Sequence, residues 1–406
     1  MSGFTGHRPG DAAYRRLIVG LFFAGVATFA QLYSPQGVLP FLAADFGVEP
    51  AVAALTVSAA TIGLAVTVIP WSLVADRRGR LATMAVGVLG ATVAGLLAPL
   101  MPGIELFLAL RVVEGAALGA VPAIALAYLA EEVDAAHAAR AAGSYIAGTT
   151  VGGLAGRIVA GFFADAGAWR GGVLSAAMLC LISALVFLRL APRAQGFTPR
   201  RDPLCVIAAR LRANLRLRAQ RTLYAQALLL MGGFVAIYNY LGFLLAAPPF
   251  DLAPAFVSLL FLAYLAGTVA SPRAGALAAR LGRLPVLVGA TATMAAGVAL
   301  TLVPSLIVVL VGLLVLTAGF FAAHAVASGW SAASAAPGAT AQASSLYYLA
   351  YYTGSSVFGW LLGFAFAGVG WPGVAGAVIA MCGLAALLAL SGLRAPESLE
   401  SRSKPL

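Results

Sequence analysis

The sequence predicts an all-α integral membrane protein with twelve transmembrane helices in two pseudo-symmetric six-helix bundles. Of its 406 residues, 62% are hydrophobic and only 10% are charged. Apolar runs of about 20 residues recur along the chain, and this length crosses roughly 30 Å of hydrocarbon. Positions of the first half also recur in the second half. Because lipid offers no hydrogen bonds to the backbone, such runs have to be helical.

The predicted helices end at Gly, Pro and charged residues, which interrupt the apolar runs. The first run is too long for the core of a signal peptide, so we expect it to remain as a helix. The twelve predicted ranges are 17–42, 52–75, 82–101, 105–130, 141–164, 170–190, 223–247, 255–278, 284–304, 306–331, 341–368 and 371–393.

One long connection, residues 191–222, carries a dense group of Arg residues. It divides the chain into an N-terminal bundle (1–190) and a C-terminal bundle with a short tail (223–406). Within this basic interdomain loop, residues 204–218 alternate apolar residues and Arg at helical spacing. We expect this segment to lie on the membrane surface, drawn to anionic lipid. A site for a regulatory partner is the alternative.

The formal net charge is +11, and its distribution excludes nucleic acid as the expected partner. With both termini inside, 21 of the 25 Lys and Arg residues fall on inner segments, and only Arg170 falls on an outer loop. This asymmetry predicts a multi-pass protein of a bacterial-type inner (cytoplasmic) membrane with both termini cytoplasmic. The three Cys residues are widely spaced and form no disulfide or metal pattern. We expect no cofactor and a monomer.

The two halves repeat at a spacing of about half the chain. A shift of 203 residues places Asp-Arg-Arg-Gly-Arg (76–80) on Ala-Arg-Leu-Gly-Arg (279–283). A shift of 202 superimposes Tyr145 on Tyr347 and Trp169 on Trp371, with three further matches between them. Parallel repeats are typical of transporters, whose substrate site lies between the halves near mid-membrane.

The repeated loop resembles the signature of the major facilitator superfamily, Gly-x-Leu-Ala-Asp-Arg-x-Gly-Arg, and the resemblance extends over essentially the whole chain. Here Ser72 and Val74 replace the Gly and the Leu, and in the second copy Ala279 replaces the Asp. The resemblance implies that Asp76 helps to close the cytoplasmic side. The implied cytoplasmic gate residues are Asp76, Arg77, Gly79, Arg80, Arg280, Gly282 and Arg283.

Two further segments resemble signatures within this superfamily. RVVEGAALG (111–119) is similar to the Arg-x-x-x-Gly signature of proton-coupled members. GTTVGGLAGR (148–157) is similar to the glycine-rich signature of the drug:proton antiporters, although Gly153 and Arg157 replace its Pro and last Gly. Segments 238–250, 323–330 and 341–357 resemble the YnfM-type inner-membrane transport proteins, a branch near the drug antiporters.

Glu114 is the one acidic residue placed deep within a predicted helix. An unpaired charge there costs about 2.5–3.5 kcal/mol on insertion scales, so Glu114 needs a partner, a proton or water. Arg111 lies one helical turn away, and Arg157 lies at a similar depth on the next helix, so we expect the three to touch. We interpret Glu114 as a proton carrier, with Arg111 and Arg157 tuning its affinity. A permanent ion pair is the alternative, and the surplus positive charge would suit an anionic substrate.

Polar residues on other predicted helices are candidates for substrate binding. By resemblance, helices 1, 4, 7 and 10 line the cavity. Tyr rings offer a π face and a hydroxyl to an amphipathic ligand. Helix packing is the alternative for the tyrosines, while His324 is either a second proton site or an interhelical hydrogen-bonding residue. The candidates are Gln31, Tyr33, Gln36, Asn239, Tyr240, His324, Tyr348 and Tyr352.

The predicted function is secondary active transport, with proton-coupled efflux of a small amphipathic or drug-like compound by alternating access. The alternative is proton-coupled uptake of a small organic anion. The sequence has no phosphate-binding loop of the Gly-x-x-x-x-Gly-Lys-Ser/Thr type, so direct ATP drive is not expected. A channel or a sensor would need pore-lining polar rings or a soluble domain, and neither pattern is present. An enzyme is not expected, because the three His residues are scattered.

Overall fold

The computed structural model describes residues 4–134, 136–164, 168–199 and 203–393. These residues fold into α-helices joined by short connections, with no β-strand among them. The helices are α1 (Ala12–Leu32), α2 (Leu39–Phe46), α3 (Pro50–Arg78), α4 (Arg80–Leu97), α5 (Ile104–Leu118), α6 (Pro122–Glu132), α7 (Ala138–Ala164), α8 (Trp169–Leu190), α9 (Leu204–Arg216), α10 (Arg218–Leu245), α11 (Pro254–Leu259), α12 (Leu265–Leu281), α13 (Arg283–Leu300), α14 (Leu306–Ala333), α15 (Thr340–Val369) and α16 (Trp371–Gly392).

Eleven helical segments of the described chain are long and apolar enough to cross a membrane. The fourth predicted span is missing from these eleven because it is not one helix. It is divided into α5, of 15 residues, and α6, of 11 residues. Pro122 opens α6, where its missing N–H group is tolerated. Together α5 and α6 occupy the place of the fourth span, so the all-α membrane fold is confirmed and the continuity of helix 105–130 is wrong.

Two other predicted helices are also interrupted. The first range, 17–42, contains a 3-10 turn at Ser34–Gly37 between α1 and α2, where Pro35 provides no backbone donor. The eighth range contains a second 3-10 segment, Leu260–Tyr264, between α11 and α12. The amphipathic segment of the interdomain loop forms α9, as predicted, and α10 begins at Arg218, five residues before the predicted start.

The repeat seen in the sequence is also present in the backbone. Gly79 has φ 101° and ψ 149°, and Gly282 has φ 89° and ψ 157°, a region that favours glycine. The helices that follow, α4 and α13, both have 18 residues. Those that begin at Trp169 and Trp371, α8 and α16, both have 22 residues. We call α1–α8 the first half and α10–α16 the second half.

Consecutive spanning segments alternate in direction, so the molecule has two ends. The basic face is the end that carries Arg77, Arg189, Arg216 and Arg280, and the other end is the opposite face. The two halves meet mainly near the opposite face. There α3 lies close against α15, since a Cβ on Gly363 would lie 2.5 Å from Ala51.

Three side-chain hydrogen bonds join the halves in the part of the chain that the structure describes. They link Gln36 to Asn239, Thr61 to Ser356 and Arg157 to Tyr264. All three lie nearer the opposite face than the basic face, given the positions of these residues along their helices. The halves are therefore closed against each other at the opposite face.

Candidate functional site

Arg111 and Glu114 form a buried ion pair inside the first half. Arg111 Nη1 lies 2.6 Å from Glu114 Oε2, one helical turn apart on α5. The side chains are 1% and 0% exposed, so water does not screen the pair. The predicted contact between Arg111 and Glu114 is confirmed.

Arg111 also donates hydrogen bonds to the backbone of two neighbouring helices. Its guanidinium donates to the carbonyl oxygens of Gln31 and Leu32, at the end of α1, at 3.2 and 2.6 Å. A third bond, of 2.9 Å, reaches the carbonyl of Thr56 on α3. The last carbonyls of a helix have no partner within it, and a cation is stabilised at that end. Arg111 therefore ties α1, α3 and α5 together.

The other oxygen of Glu114, Oε1, is buried and has no hydrogen-bond partner. Gln31 lies close to this carboxyl, because Arg111 Nη1 donates both to the backbone carbonyl of Gln31 and to Glu114 Oε2. Its amide nitrogen donates to the carbonyl of Ala91 at 3.0 Å, while its own oxygen, Oε1, is also without a partner. Gly95 makes room for this amide, because a Cβ there would lie 1.3 Å from Gln31 Nε2. The structure thus places Gln31 beside the ion pair.

Arg157 does not contact Glu114, so the expected three-charge cluster is wrong for this conformation. Its Nε donates to Gln36 Oε1 at 2.7 Å, and its other nitrogens donate to the carbonyl of Gly153 and the hydroxyl of Tyr264. Among the described residues, no carboxylate forms an ion pair with it. The side chains separate because Arg111 reaches the end of α1, whereas Arg157 is directed toward the second half.

Aromatic rings surround the guanidinium of Arg157. Its central carbon lies 4.4 Å from the ring centre of Tyr33, 5.0 Å from that of Phe261 and 4.8 Å from that of Tyr264. A desolvated cation over ring faces gains about 2 kcal/mol. These rings replace the carboxylate that a buried cation would otherwise need.

Gln36 connects Arg157 to the second half. Its amide nitrogen donates to Asn239 Oδ1 at 2.7 Å, and Asn239 Nδ2 donates to the carbonyl of Gly359 at 3.1 Å. Tyr240 lies beside this path but is fully buried, and its hydroxyl also donates to Gly359 at 2.9 Å. Tyr240 therefore has no exposed surface in this conformation, and its place in the substrate site stays a prediction. Its neighbour Asn239 joins the halves, because its amide oxygen accepts the hydrogen bond from Gln36.

A group of tyrosines on α15 surrounds His324. Tyr347 OH lies 3.0 Å from His324 Nδ1, and the ring of Tyr351 is centred 4.9 Å from the imidazole. Tyr348, the ninth residue of α15, is 37% exposed, whereas Tyr352 is buried. Tyr145, a buried residue of the first half, lies near Tyr348. This group, Tyr145, His324, Tyr348, Tyr351 and Tyr352, is called the tyrosine cluster.

The repeated loops at the basic face differ in their contacts. Arg80 is 6% exposed and binds Asp76 at 2.5 Å and Glu131, at the end of α6, at 2.8 Å. Gly79 turns the chain between α3 and α4, and the side chain of Arg77 is exposed. In the second copy, Arg280, Gly282 and Arg283 are all exposed. Glu131, which binds Arg80 from α6, is thus an additional candidate for the cytoplasmic gate in the first half.

Several residues of these contacts were not among the sequence candidates. Glu131 directly follows the predicted helix 105–130, at the end that the charge pattern assigns to the basic face, and this is the one signal that could have identified it. Tyr264 and Phe261 lie in a predicted apolar helix, and no pattern there indicates a contact with Arg157. The described residues contain no cluster of three or more His, Cys, Asp or Glu side chains that could hold a metal ion.

The fold and these buried polar groups define a multi-pass helical secondary transporter. The family model for the Major Facilitator Superfamily matches residues 21–250, and the chain belongs to this superfamily. It is 39% identical over 381 residues to the inner membrane transport protein YnfM of Escherichia coli (strain K12), covering 94% of this chain and 91% of that protein. It is 35% identical over 385 residues to YybF of Bacillus subtilis (strain 168), described as an uncharacterized MFS-type transporter, covering 95% of each.

Solved structures share the fold at low sequence identity. The D-xylose-proton symporter matches with a TM-score of 0.75 and 17% identity, covering 97% of this chain and 99% of that one. A bacterial homologue of the human lysosomal transporter Spinster matches with a TM-score of 0.73 and 15% identity, covering 97% and 100%. The predicted resemblance to the superfamily is confirmed.

Proposed function

We propose that the protein is a proton-coupled exporter of small amphipathic compounds that works by alternating access. The observation that carries the proposal is Glu114, a carboxyl group buried inside the first half with one oxygen bound to Arg111 and the other unpartnered. A buried acidic residue inside a membrane transporter is expensive and is usually part of a proton or substrate pathway. Glu114 is therefore our proton carrier.

The surroundings of Glu114 support a role that includes movement. The break between α5 and α6, at Gly119–Val121, lies little more than one turn beyond Glu114. The break between α1 and α2 follows Gln31 and Leu32, the residues whose carbonyls bind Arg111. Helix interruptions concentrate conformational change at a few residues. A change at either break would alter the contacts of the ion pair directly.

The tyrosine cluster supports a mid-membrane substrate site between the halves. Its members come from α7, α14 and α15 and offer π faces, hydroxyls and one imidazole, with no carboxylate among them. Such a surface suits a ligand with an aromatic or apolar body and a few polar groups. We assign Tyr348 as the residue that a substrate would contact first, because it is the most exposed member of the tyrosine cluster. Tyr33 is assigned to the Arg157 contact rather than to the substrate.

The closure at the opposite face supports an arrangement in which the site opens toward the basic face. We take the basic face as cytoplasmic, following the charge asymmetry of the sequence. Alternating access then requires the contacts of Arg157, Gln36 and Asn239 to break while the halves meet at the basic face. Asp76 and Glu131, which hold Arg80, are placed to take part in that second closure. Export is supported by the glycine-rich segment 148–157, which resembles the drug antiporters.

Uptake of a small organic anion is the second candidate, and one observation favours it. Arg157 is a buried cation with no carboxylate partner among the described residues, and it lies between the halves. In a state open to the opposite face, its guanidinium would be freed from Tyr264. A freed cation at that depth would attract a carboxylate or a phosphate group.

Transport in proteoliposomes with an imposed pH gradient tests the proposal. The purified protein is reconstituted with a pH-sensitive dye inside, and a panel of amphipathic compounds and small organic anions is added. Export coupled to protons predicts that an amphipathic compound and protons move in opposite directions. Movement of an anion together with protons would support the second candidate instead. Flux that ignores the pH gradient for every accepted compound would contradict proton coupling in both forms.

A further inference from the structure

Glu132 is, like Glu114, a fully buried carboxylate of the first half, and the proposed function does not use it. It is the last residue of α6, next to Glu131, and its side chain is 0% exposed. Its Oε1 accepts hydrogen bonds from two backbone N–H groups, those of Gln195 and Gly196, each of 2.8 Å. Hydrogen bonds to a charged group are stronger than those between neutral groups. Glu132 therefore binds the beginning of the interdomain loop to the first half.

Two further contacts fix the same stretch of chain to α6. The hydroxyl of Tyr128 donates to the carbonyl of Pro192. Gly196 lies directly on the carbonyl of Glu131, because a Cβ at this glycine would lie 2.0 Å from that oxygen. Only a glycine can approach another backbone so closely. We call residues 192–196 the loop start, and it is held against the end of α6.

Phe197 follows the loop start directly and covers the guanidinium of Arg80. The central carbon of Arg80 lies 5.6 Å from the ring centre, and a Cβ on Gly79 would lie 4.0 Å from Cε1 of the ring. The ring is therefore placed on the turn between α3 and α4. A cation within about 6 Å of an aromatic face is attracted to it. The nitrogens of Arg80 bind Asp76 and Glu131, so the ring adds a third contact.

We propose that Glu132 is a positioning residue of the cytoplasmic gate: it holds the loop start so that Phe197 covers Arg80. This inference rests on the proposed function, in which Arg80 belongs to the gate. Glu132 acts through the backbone of the two residues that precede Phe197. The two neighbouring acids then have different tasks. Glu131 binds the guanidinium itself, and Glu132 binds the segment that covers it.

The far end of the interdomain loop is fixed to the second half. Asn214, on α9, is buried, and its Nδ2 donates to the carbonyl of Ala339 at 3.0 Å. Its Oδ1 accepts a bond of 2.9 Å from the backbone N–H of Ala336. Both partners lie in the connection between α14 and α15, so α9 should follow the second half when the halves move. The loop can then pull on the loop start, and Glu132 opposes this displacement.

The equivalent turn of the second half is uncovered in the part of the chain that the structure describes. Arg283 occupies the position of Arg80 and is exposed. A Cβ on Gly282 would have Pro285 as its neighbour, at 3.8 Å. The ring of Phe197 therefore distinguishes the first of the two repeated turns, and that turn is the one beside the loop start.

Fluorine NMR of the purified full-length protein tests the inference. A para-fluorophenylalanine in place of Phe197 reports the charge beside its ring, so Arg80→Gln should displace its signal. Glu132→Leu removes the acceptor and should displace the signal in the same direction, although Arg80 is intact. Glu132→Gln keeps an oxygen that can accept both N–H bonds, so most of this displacement should be absent. Asp134→Asn, which alters the bond to Arg8 two residues further along, is the matched control and should leave the signal in place.

Each other result contradicts the inference at a definite step. A signal that ignores Arg80→Gln overturns the contact between Phe197 and Arg80. A signal that moves in Arg80→Gln but not in Glu132→Leu overturns the role of Glu132, as does an equal displacement in Asp134→Asn. Equal displacements in Glu132→Leu and Glu132→Gln would mean that the hydrogen bonds do not position the ring.

Gly196→Ala provides the same test if Glu132→Leu does not fold. The added Cβ has to move the loop start away from the carbonyl of Glu131 while Glu132 remains. The signal of the fluorinated ring should again be displaced, and a signal that stays in place would overturn the inference. These spectra do not depend on export or on proton coupling. Their failure would leave the proposed function standing, whereas flux that ignores the pH gradient would contradict the proposed function alone.

Discussion

Arg111 and Arg157 are both buried arginines of the first half, and their charges are balanced in different ways. Arg111 pairs with a carboxylate on its own helix, and its remaining bonds go to backbone carbonyls of α1 and α3. Arg157 has aromatic rings in place of a carboxylate, and its bonds reach Gln36 and, across the interface, Tyr264. The comparison indicates that the first site is internal to one half, while the second joins two halves that have to separate.

Arg111→Met should have the largest effect on stability. It leaves Glu114 buried without its partner and removes the donors to the carbonyls of Gln31, Leu32 and Thr56. Breaking a buried ion pair on one side costs about 3–5 kcal/mol. Thermal unfolding in detergent and the yield of folded protein measure this loss.

The double variant Arg111→Met/Glu114→Met sharpens the same comparison. Removing both charges avoids the unpaired carboxylate, so much of the lost stability should return. Proton coupling should stay absent, because the titratable group is gone. If Arg111→Met alone were as stable as the wild type, the internal role of this arginine would be wrong.

Arg157→Met should affect the conformational equilibrium more than the folding. It removes the hydrogen bond to Tyr264 and the bond to Gln36, which leads to Asn239, while the Met side chain keeps apolar contact with the rings. Hydrogen bonds to a charged group contribute about 1.5–3 kcal/mol, which corresponds to roughly tenfold or more in the population open at the opposite face. A cysteine at Ser258, a residue buried against Gly161, should then be alkylated faster.

The labelling uses a background in which the exposed Cys205 is replaced by Ser. Arg157→Lys is the control: it keeps the charge without the planar fork and should give an intermediate rate. A poorly folded Arg157→Met protein with an unchanged labelling rate would make Arg157 a structural residue of the first half.

Glu131→Gln should have a smaller effect, at the basic face. Arg80 binds both Glu131 and Asp76, whose side chains are 22% and 30% exposed, so each contact is partly screened by solvent. We expect a loss of about 1 kcal/mol for either Glu131→Gln or Asp76→Asn. A double-mutant cycle on unfolding free energy measures the coupling. Additive losses would mean that the two acids act on Arg80 independently.

Arg283→Gln, at the position equivalent to Arg80, should have the smallest effect. Arg283 is exposed and makes no ion pair with the described residues, so the change in unfolding free energy should stay within about 0.5 kcal/mol. The same substitution at Arg80 should cost clearly more. Equal effects at the two positions would contradict the asymmetry between the halves.

The membrane fold could be predicted because the length of the apolar runs, the internal repeat and the placement of the charges are all visible in the sequence itself. The interruption of the fourth span was missed because α5 and α6 are both apolar and only Pro122 marks the turn. Glu114 and Arg111 were found because their spacing of three residues fixes their relative position on a helix. The contacts of Arg157 were not predicted, because they depend on how α7 is rotated about its axis and on how α11 and α12 pack against it. The predicted domain boundaries and gate roles stay predictions.

The most direct test of the central claim is flux driven by a pH gradient in Glu114→Gln, measured with a compound accepted by the wild type. The variant keeps the shape of the side chain but cannot titrate, so pH-driven flux should be abolished while exchange of substrate without a gradient continues. Glu105→Gln, an exposed acid at the start of the same helix, should behave like the wild type. Normal pH-driven flux in a well-folded Glu114→Gln protein would contradict the assignment of Glu114 as the proton carrier.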